Sequence, residues 1–150
     1  MDLAGIRQHV AGRIKVEMKV ASCAPFGGTA SVEVLQEAAA KARPTAVRVG
    51  LRDFAPVEVD GLGATRLATA WIALVVAIGG TDDARSDRAM LDAVALVKLL
   101  GYQDWALGVD AKTILPADIK ARNLYSGPLK DKVTAAVWRV DWKQLMTLEI

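Results

Sequence analysis

The chain has one cysteine and one histidine, so any thiol chemistry would depend on Cys23 and His9. A catalytic thiol needs a general base within hydrogen-bond reach, and His9 is the sole imidazole that the sequence offers. No Asn or Asp is visibly paired with it, and its place beside Val10 is typical of a surface or half-buried helical histidine. A single histidine also excludes a metal site built from several imidazoles. We therefore expect no thiol catalysis and no metal or cofactor.

Three acidic residues, Asp82, Asp83 and Asp87, are close enough in sequence to raise the question of a metal site. Their spacing matches no calcium-loop pattern. Acidic side chains also favour the first turn of a helix, where the helix dipole is positive. We therefore interpret the three carboxylates as part of a helix start.

Two glycine motifs raise the question of phosphate or dinucleotide binding. Gly27-Gly28 lacks the Lys-Ser/Thr ending of a phosphate-binding loop, and the sequence 61–63 precedes a strand where a dinucleotide fingerprint would open a helix. Both motifs are therefore predicted to be turns. Taken together, these residues predict that the protein is not an enzyme.

The segment 64–80 is the element around which the rest of the chain is organised. Both sets of alternate residues are mostly apolar in its second half, and β-branched residues are common. A strand that is apolar on both sides must be covered on both sides. The Gly79-Gly80 pair then interrupts it. The sequence therefore predicts the central strand of a sheet.

The remaining periodicities predict the other elements. Helices are expected over 3–20, 31–43 and 81–100, and strands over 45–54, 119–126 and 133–149. Ser31 is predicted to cap the second helix, with Glu33 in its first turn, and Pro44 to end it. The segment 21–30 is expected to be a loop with at most a short strand, and 53–63 the tip of a hairpin. The connection 102–116 is expected to pack over the sheet edge. This order predicts one α+β domain over 1–150, with a mostly antiparallel sheet of four to five strands and about three helices.

The same periodicities assign faces. In 45–54, Val47, Val49 and Leu51 are predicted to face the core, and Arg48, Gly50 and Arg52 to face water. In the third helix the apolar face is expected to comprise Met90, Val94, Val97 and Leu100, or Leu91, Ala95 and Leu99. In the last strand, Trp138, Val140, Trp142, Met146 and Leu148 are predicted to be core, and Val137, Arg139, Asp141, Lys143 and Leu145 a wet or subunit-contacting face.

Charge is distributed unevenly although the net charge is only +2. Residues 81–110 carry three bases and six acids, a net charge of −3, and residues 111–150 carry seven bases and four acids, a net charge of +3. Opposed patches of this kind permit head-to-tail pairing of copies. The predicted subunit-contact residues are Asp82, Asp83 and Asp87 on the acidic side and Arg122, Lys130, Lys132, Val137, Arg139, Asp141, Lys143 and Leu145 on the basic side.

The longest apolar run covers 70–78, well short of the roughly 20 residues that span a membrane. The first twenty residues contain scattered charges and lack the apolar core of a signal peptide. A single cysteine forms no internal disulfide. We therefore expect no membrane partner and synthesis in a reducing cytoplasm.

Five segments together resemble a family of small tail proteins from Mu-like bacteriophages and prophages. They are the amphipathic helix 3–20, the proline-then-strand segment 43–49, the Leu-Leu-Gly helix end 99–101, the Arg-x-Leu-type segment 122–127 and the aromatic final strand 136–142. The resemblance extends over nearly the whole chain. The arrangement of the elements is also similar to that of tail terminator proteins.

This resemblance implies a structural role. Tail terminators form a hexameric ring that caps the tail tube, stops its polymerisation and joins the tail to the head. The expected partners are therefore further copies of this chain in a hexamer, the tail tube protein, and sheath and head–tail connector proteins. The expected location is the virion tail, assembled in the bacterial host cytoplasm, with DNA passing through the ring without sequence-specific recognition.

Three alternatives remain at this point. The first is that the chain is another head–tail joining or tail-completion protein. A small nucleic-acid-binding module would use Arg48, Arg52 and Arg66 on one sheet face with Trp71 near them, although no binding motif is present. A small enzyme would use Cys23 or the aspartate cluster.

Overall fold

The computed structural model describes residues 3–59, 64–102 and 116–149. Within these residues the helices are α1 (Leu3–Met18), α2 (Val32–Lys41) and α3 (Asp82–Tyr102), with a 3-10 turn at Lys130–Lys132. The strands are β1 (Ser22–Phe26), β2 (Thr45–Val59), β3 (Ala64–Ile78), β4 (Ala117–Pro128) and β5 (Thr134–Glu149). The predicted connection 102–116 falls almost entirely in 103–115, outside the described residues.

The five strands form one sheet in the order β1-β2-β3-β5-β4. The pairs β2–β3, β3–β5 and β5–β4 are antiparallel, whereas the short β1 is parallel to β2. The predicted α+β class with a mostly antiparallel sheet is confirmed. The predicted central position of the 64–80 strand is confirmed too, because β3 lies between β2 and β5.

Helices cover both faces of the sheet. On one face, here called the α1/α3 face, Ile6, Val10 and Ile14 of α1 and Leu96 and Leu100 of α3 pack on alternate residues of β2, β3 and β5. On the other, here called the α2 face, the buried side of α2 packs on Ala46, Ile72, Leu74, Val76, Ala135 and Val137. This double cover explains why both sets of alternate residues in β3 are apolar.

Local chemistry places the helix ends. Ser31 caps α2, its hydroxyl accepting a hydrogen bond from the Val34 N–H at 3.3 Å, and Glu33 lies in the first turn as predicted. Thr81 caps α3 in the same way, its hydroxyl accepting from the Ala84 N–H at 3.2 Å. The helix α2 ends at Lys41, shortly before Pro44, which the sequence marked as its terminator.

The prediction that Arg48 and Gly50 face water is wrong. Arg48 is only 2% exposed, because its guanidinium binds both carboxylate oxygens of Glu37 on α2, at 2.7 and 2.8 Å. It also donates to the Ser22 hydroxyl at 3.0 Å. One side chain thus ties α2 and β1 to β2. Arg52 alone of the predicted wet face is exposed.

The predicted apolar face of α3 is also wrong for most of its residues. The helix packs on the sheet through Ala89, Ala93, Leu96 and Leu100, with the guanidinium of Arg85 buried at its start. The larger Met90, Leu91 and Val94 are exposed. Alanine lies against the sheet because it lets the helix backbone approach closely, so side-chain size was a misleading guide to the buried face.

The prediction that Val137 lies on a wet or subunit-contacting face of the last strand is wrong. It is fully buried on the α2 face, in contact with the cluster around Leu35 and Leu74, and does not reach the subunit surface. On the other face, Trp142 is buried as predicted and Trp138 is partly buried. The ring of Trp142 stacks on that of Trp71, with centroids 5.9 Å apart and planes at 6°.

Candidate subunit-contact surfaces

The α2 face is covered over only part of its length. The ten residues of α2 form a helix of about 15 Å, whereas strands of 15 and 16 residues run for about 50 Å. Beyond the end of α2, charged residues line a groove of about 680 Å³, here called the open groove. They are Arg52, Asp118, Lys120, Arg122, Arg139, Asp141 and Lys143.

Asp141 is the centre of an ion-pair network in this groove. Its carboxylate accepts hydrogen bonds from Arg139 Nε at 2.8 Å, from Arg139 Nη2 at 2.9 Å and from Arg52 Nη1 at 3.1 Å. Arg139 and Asp141 are two residues apart on one strand and therefore share a face. The sequence predicted both as contact residues, but in the structure they hold each other and Arg52 within the subunit.

The groove retains positive charge after this pairing. Its lining has five basic side chains and two carboxylates, a net charge of +3. Arg122 lies directly opposite Arg139 in the strand register, a like-charge neighbour that it repels. Lys143 lies 3.8 Å from Asp118, and both side chains are exposed, so their attraction is weak. An acidic partner would therefore find uncompensated cations here.

An apolar depression adjoins the open groove along the same strands. It has a volume of about 420 Å³, and its apolar lining residues are Phe54, Ala55, Ala68, Ala70, Ala117 and Leu145. Ala70 and Lys143 line both spaces, so the two are continuous. The predicted contact residue Leu145 belongs to this apolar part and is half-buried.

The loop that follows β1 borders the opposite side of the open groove. Residues 27–30 line a smaller cleft together with Arg52 and Arg139. This loop approaches β2 closely because Gly50 lacks a side chain: a Cβ there would lie 2.7 Å from the Gly28 Cα. Gly28 itself has a φ of +92°, which favours glycine.

The predicted acidic patch lies at the start of α3, on the other side of the sheet. Asp82 is bonded to the buried guanidinium of Arg85 one turn later, which partly neutralises it. Asp83 and Asp87 are exposed. Their role at a helix start, predicted from the sequence, agrees with their position in the first turns of α3.

The predicted basic set is divided by the structure into two separate groups. Lys130 and Lys132 lie in the turn just before β5, at the end of the sheet where β3 finishes and α3 begins, because Ile78 pairs with Ala135. Arg122 and Lys143 lie in the open groove instead. All four side chains are positively charged, and no local pattern in the sequence indicates that they lie at different places on the sheet.

An exposed apolar stripe on α3 was not anticipated. Met90, Leu91 and Val94 are 39%, 61% and 43% exposed, on the side of α3 that faces away from the sheet. Asp87 precedes the stripe by one turn, and Lys98 follows it by one turn. The sequence contained a sign of this stripe, because the helix has three more apolar residues than one buried face can hold.

Of the residues considered for chemistry, Cys23 is half-buried in β1, and the aspartates lie in the first turns of α3. Burial raises the pKa of the Cys23 thiol to about 12, so at neutral pH it is not the thiolate that nucleophilic catalysis requires. Among the described residues, no group of three or more His, Cys, Asp or Glu side chains is placed to hold a metal ion. None of the described helices is both long and apolar enough to cross a bilayer.

The arginine row suggested for nucleic-acid binding is not formed. Arg48 is buried against Glu37, and Trp71 is buried on the opposite face of the sheet from Arg52. The side chain of Arg66 lies outside the described residues. Arg52, unlike Arg48, lines the open groove, so any binding of nucleic acid would use that groove in place of the predicted row of arginines.

The fold and its surfaces define an α+β domain built on one large sheet, with helices on both faces and a bare half on one of them. A solved chain in the virion of a native gene transfer agent (GTA) particle has a similar fold. The two share 15% sequence identity, and the match has a TM-score of 0.50 over 97% of this chain and 99% of that chain. No protein-family model matches the sequence, and no curated protein does either.

Proposed function

We propose that this protein is a structural subunit of a phage-like virion, and specifically a tail terminator that forms a ring of six copies. The ring caps the tail tube and joins the tail to the head. The similarity of fold to a chain of a gene transfer agent virion, over nearly the full length of both chains, supports the structural class. The number six is the one implied by the resemblance to tail terminators.

One observation carries the proposal: two unlike surfaces lie on opposite sides of one sheet. The open groove, with a net charge of +3, is on the α2 face, and the exposed stripe of α3 is on the α1/α3 face. A closed ring needs head-to-tail contacts between two different patches of each subunit. Because the two surfaces point in opposite directions, one surface of a subunit can contact the other surface of the next subunit. A pairing of identical surfaces about a two-fold axis is then not needed.

The remaining partners follow from the same role. The ring would contact the tail tube protein on one side and head–tail connector proteins on the other, with sheath protein as a further neighbour in a contractile tail. DNA would pass through the ring without being read, and assembly would take place in the bacterial host cytoplasm. The closest alternative role is that of another head–tail joining or tail-completion protein, and the identity of the adjacent genes distinguishes them: a tail tube or sheath gene next door supports the terminator.

Light scattering after size-exclusion chromatography, at several protein concentrations, tests the proposal. We expect a defined oligomer, and negative-stain electron microscopy should show rings with a central opening. A monomer at every concentration would contradict the ring. Catalysis plays no part in this role, so we expect Cys23→Ser and His9→Ala to leave the oligomer unchanged. Loss of function in a folded variant of either residue would reopen the enzymatic alternative.

A further inference from the structure

The outward side of α3 combines charge and apolar surface in a fixed order. Asp83 and Asp87 are exposed in its first turns, and the exposed Met90, Leu91 and Val94 follow. Residues three and four apart lie next to one another on a helix, so these side chains form one continuous stripe. An apolar stripe of this kind on a helix that already packs on its own sheet indicates a contact with something outside the subunit.

The bare half of the α2 face has the complementary order. The open groove provides the cations Lys120, Arg122 and Lys143, and the adjoining depression provides an apolar floor that includes Ala68 and Ala70. The lengths also agree. Asp83 to Val94 is about 17 Å of helix, and the stretch of β5 from Arg139 to Leu145 is about 20 Å of strand.

We propose that α3 of one subunit lies in the open groove of the next subunit and covers the half of the α2 face that α2 leaves bare. Asp83 and Asp87 then face Lys120, Arg122 and Lys143, and the apolar stripe of α3 packs on the alanine floor. This inference rests on the proposed ring and identifies the two surfaces that close it. It also excludes Lys130 and Lys132 from the contact, because they lie at the end of the sheet away from the groove.

A second copy fits this surface better than a nucleic acid does. The groove continues into an apolar floor. A phosphate backbone would leave this floor exposed to water, whereas the apolar stripe of α3 would cover it. Two of the three arginines that line the groove, Arg52 and Arg139, are already engaged by Asp141. Charge sets the register of such a contact, and the apolar part contributes most of the affinity.

Charge reversal tests the ionic half of the contact. The double variant Lys120→Glu/Lys143→Glu should raise the dissociation constant of the oligomer about tenfold or more, since each exposed pair contributes about 0–1 kcal/mol and reversal adds repulsion. Adding Asp83→Lys/Asp87→Lys to the same chain should restore part of the affinity. Lys130→Glu/Lys132→Glu, which makes the same charge change outside the groove, is the control and should leave the oligomer intact. An equal effect of the control variant would overturn the proposal.

The apolar half is tested with Leu91→Ser. Val16→Ser on α1 is the matched control, because Val16 is also an exposed aliphatic side chain on a helix of the same face, 72% exposed. We expect Leu91→Ser alone to weaken the oligomer, with the unfolding temperature of the monomer unchanged in both. If Leu91→Ser lowers the stability of the monomer instead, the stripe is covered within its own subunit and the proposal is wrong.

Cross-linking with a bismaleimide determines which surfaces meet. A Leu91→Cys chain mixed with an Ala68→Cys chain should give a covalent dimer, whereas each chain alone should give none. The wild-type chain is the control for Cys23, which is half-buried and whose raised pKa disfavours the reactive thiolate, so we expect it to give no dimer. Dimers from Leu91→Cys alone would mean that two α3 helices pair about a two-fold axis, and would overturn the head-to-tail contact.

The outcomes separate this inference from the proposed function. A ring that forms but gives no cross-link between residues 91 and 68 overturns the α3 contact and leaves the terminator role standing. A wild-type chain that stays monomeric overturns both. Binding of DNA that is lost in Lys120→Glu/Lys143→Glu, with the oligomer unaffected, would assign the groove to nucleic acid and overturn the contact.

Discussion

Trp71 and Trp142 stack on each other in similar surroundings. When the same substitution is made at each, most contributions to the free energy of unfolding cancel in the comparison. Both indoles are buried, at 1% and 2% exposure, and they lie on neighbouring strands in direct register. Their N–H groups differ. Trp71 Nε1 donates to the Thr69 hydroxyl at 2.8 Å, and that hydroxyl donates to the Gln144 carbonyl at 2.6 Å. Trp142 Nε1 is buried and has no hydrogen-bond partner among the described residues.

Replacing each tryptophan by phenylalanine removes the same atoms from the same core, so the cavity contributions are similar. Trp71→Phe also removes a hydrogen bond that contributes about 0.5–1.5 kcal/mol, whereas Trp142→Phe removes a buried unpaired N–H whose burial costs about 1–3 kcal/mol. We therefore expect Trp71→Phe to be the more destabilising variant, by at least about 1.5 kcal/mol. Truncation of Trp142 to alanine removes the stack as well and should cost about 3–5 kcal/mol.

Urea denaturation monitored by circular dichroism measures this difference, with both variants at one protein concentration so that oligomerisation contributes equally. In thermal unfolding the same difference corresponds to about 3–6 °C in Tm for a chain of this size. Equal destabilisation by the two variants would refute the reasoning, because it would mean that the Trp142 N–H is satisfied in solution.

Three further predictions concern single side chains. The hydrogen bond from Arg48 lowers the pKa of Glu37 below its ordinary value, so its stabilising contribution is present above the unfolded-state pKa and is lost as the pH falls through the folded-state pKa. Denaturation at pH 7 and pH 3 should therefore show that Glu37→Gln is destabilised relative to wild type less at pH 3 than at pH 7. The Cys23 thiol, whose pKa burial raises to about 12, should react with a disulfide reagent at pH 8 only after the chain is unfolded, and rapid reaction of the native protein would contradict its burial. Val137→Asp should prevent stable folding because it places an unpaired charge under α2, whereas Lys143→Asp should fold normally, as circular dichroism would show.

The sequence was sufficient for elements whose pattern is local. The strand β3 was identified because both of its faces are apolar, which requires a covered, central position. The N-terminus of α2 followed from Ser31 and its end from Pro44. The parallel pairing of β1 with β2 was not foreseen, because it depends on where α2 returns the chain and no local pattern records that.

Burial of individual side chains was harder to predict where the partner is distant. Arg48 was assigned to water because of its charge, but Glu37 on another element neutralises it and α2 covers it. On α3, Ala89 and Ala93 make the close contact, so the larger Met90 and Leu91 were wrongly placed in the core. Arg139 and Asp141 were both recognised as outward-facing, and their two-residue spacing was a usable sign that they pair with each other.

The central position of β3 has a consequence for the order of folding. Its pairing with β2 joins residues close in sequence, whereas its pairing with β5 must bring together segments separated by α3 and β4. Closing that longer loop costs more conformational entropy and is therefore slower. The hairpins β2–β3 and β4–β5 are thus expected to form before they dock on each other. Until they dock, the apolar edge of β3 is exposed and is able to pair with the wrong chain. Crowding of nascent subunits would therefore favour misassembly through this edge, and rapid docking of β5 is what protects the subunit before it meets its proper neighbours.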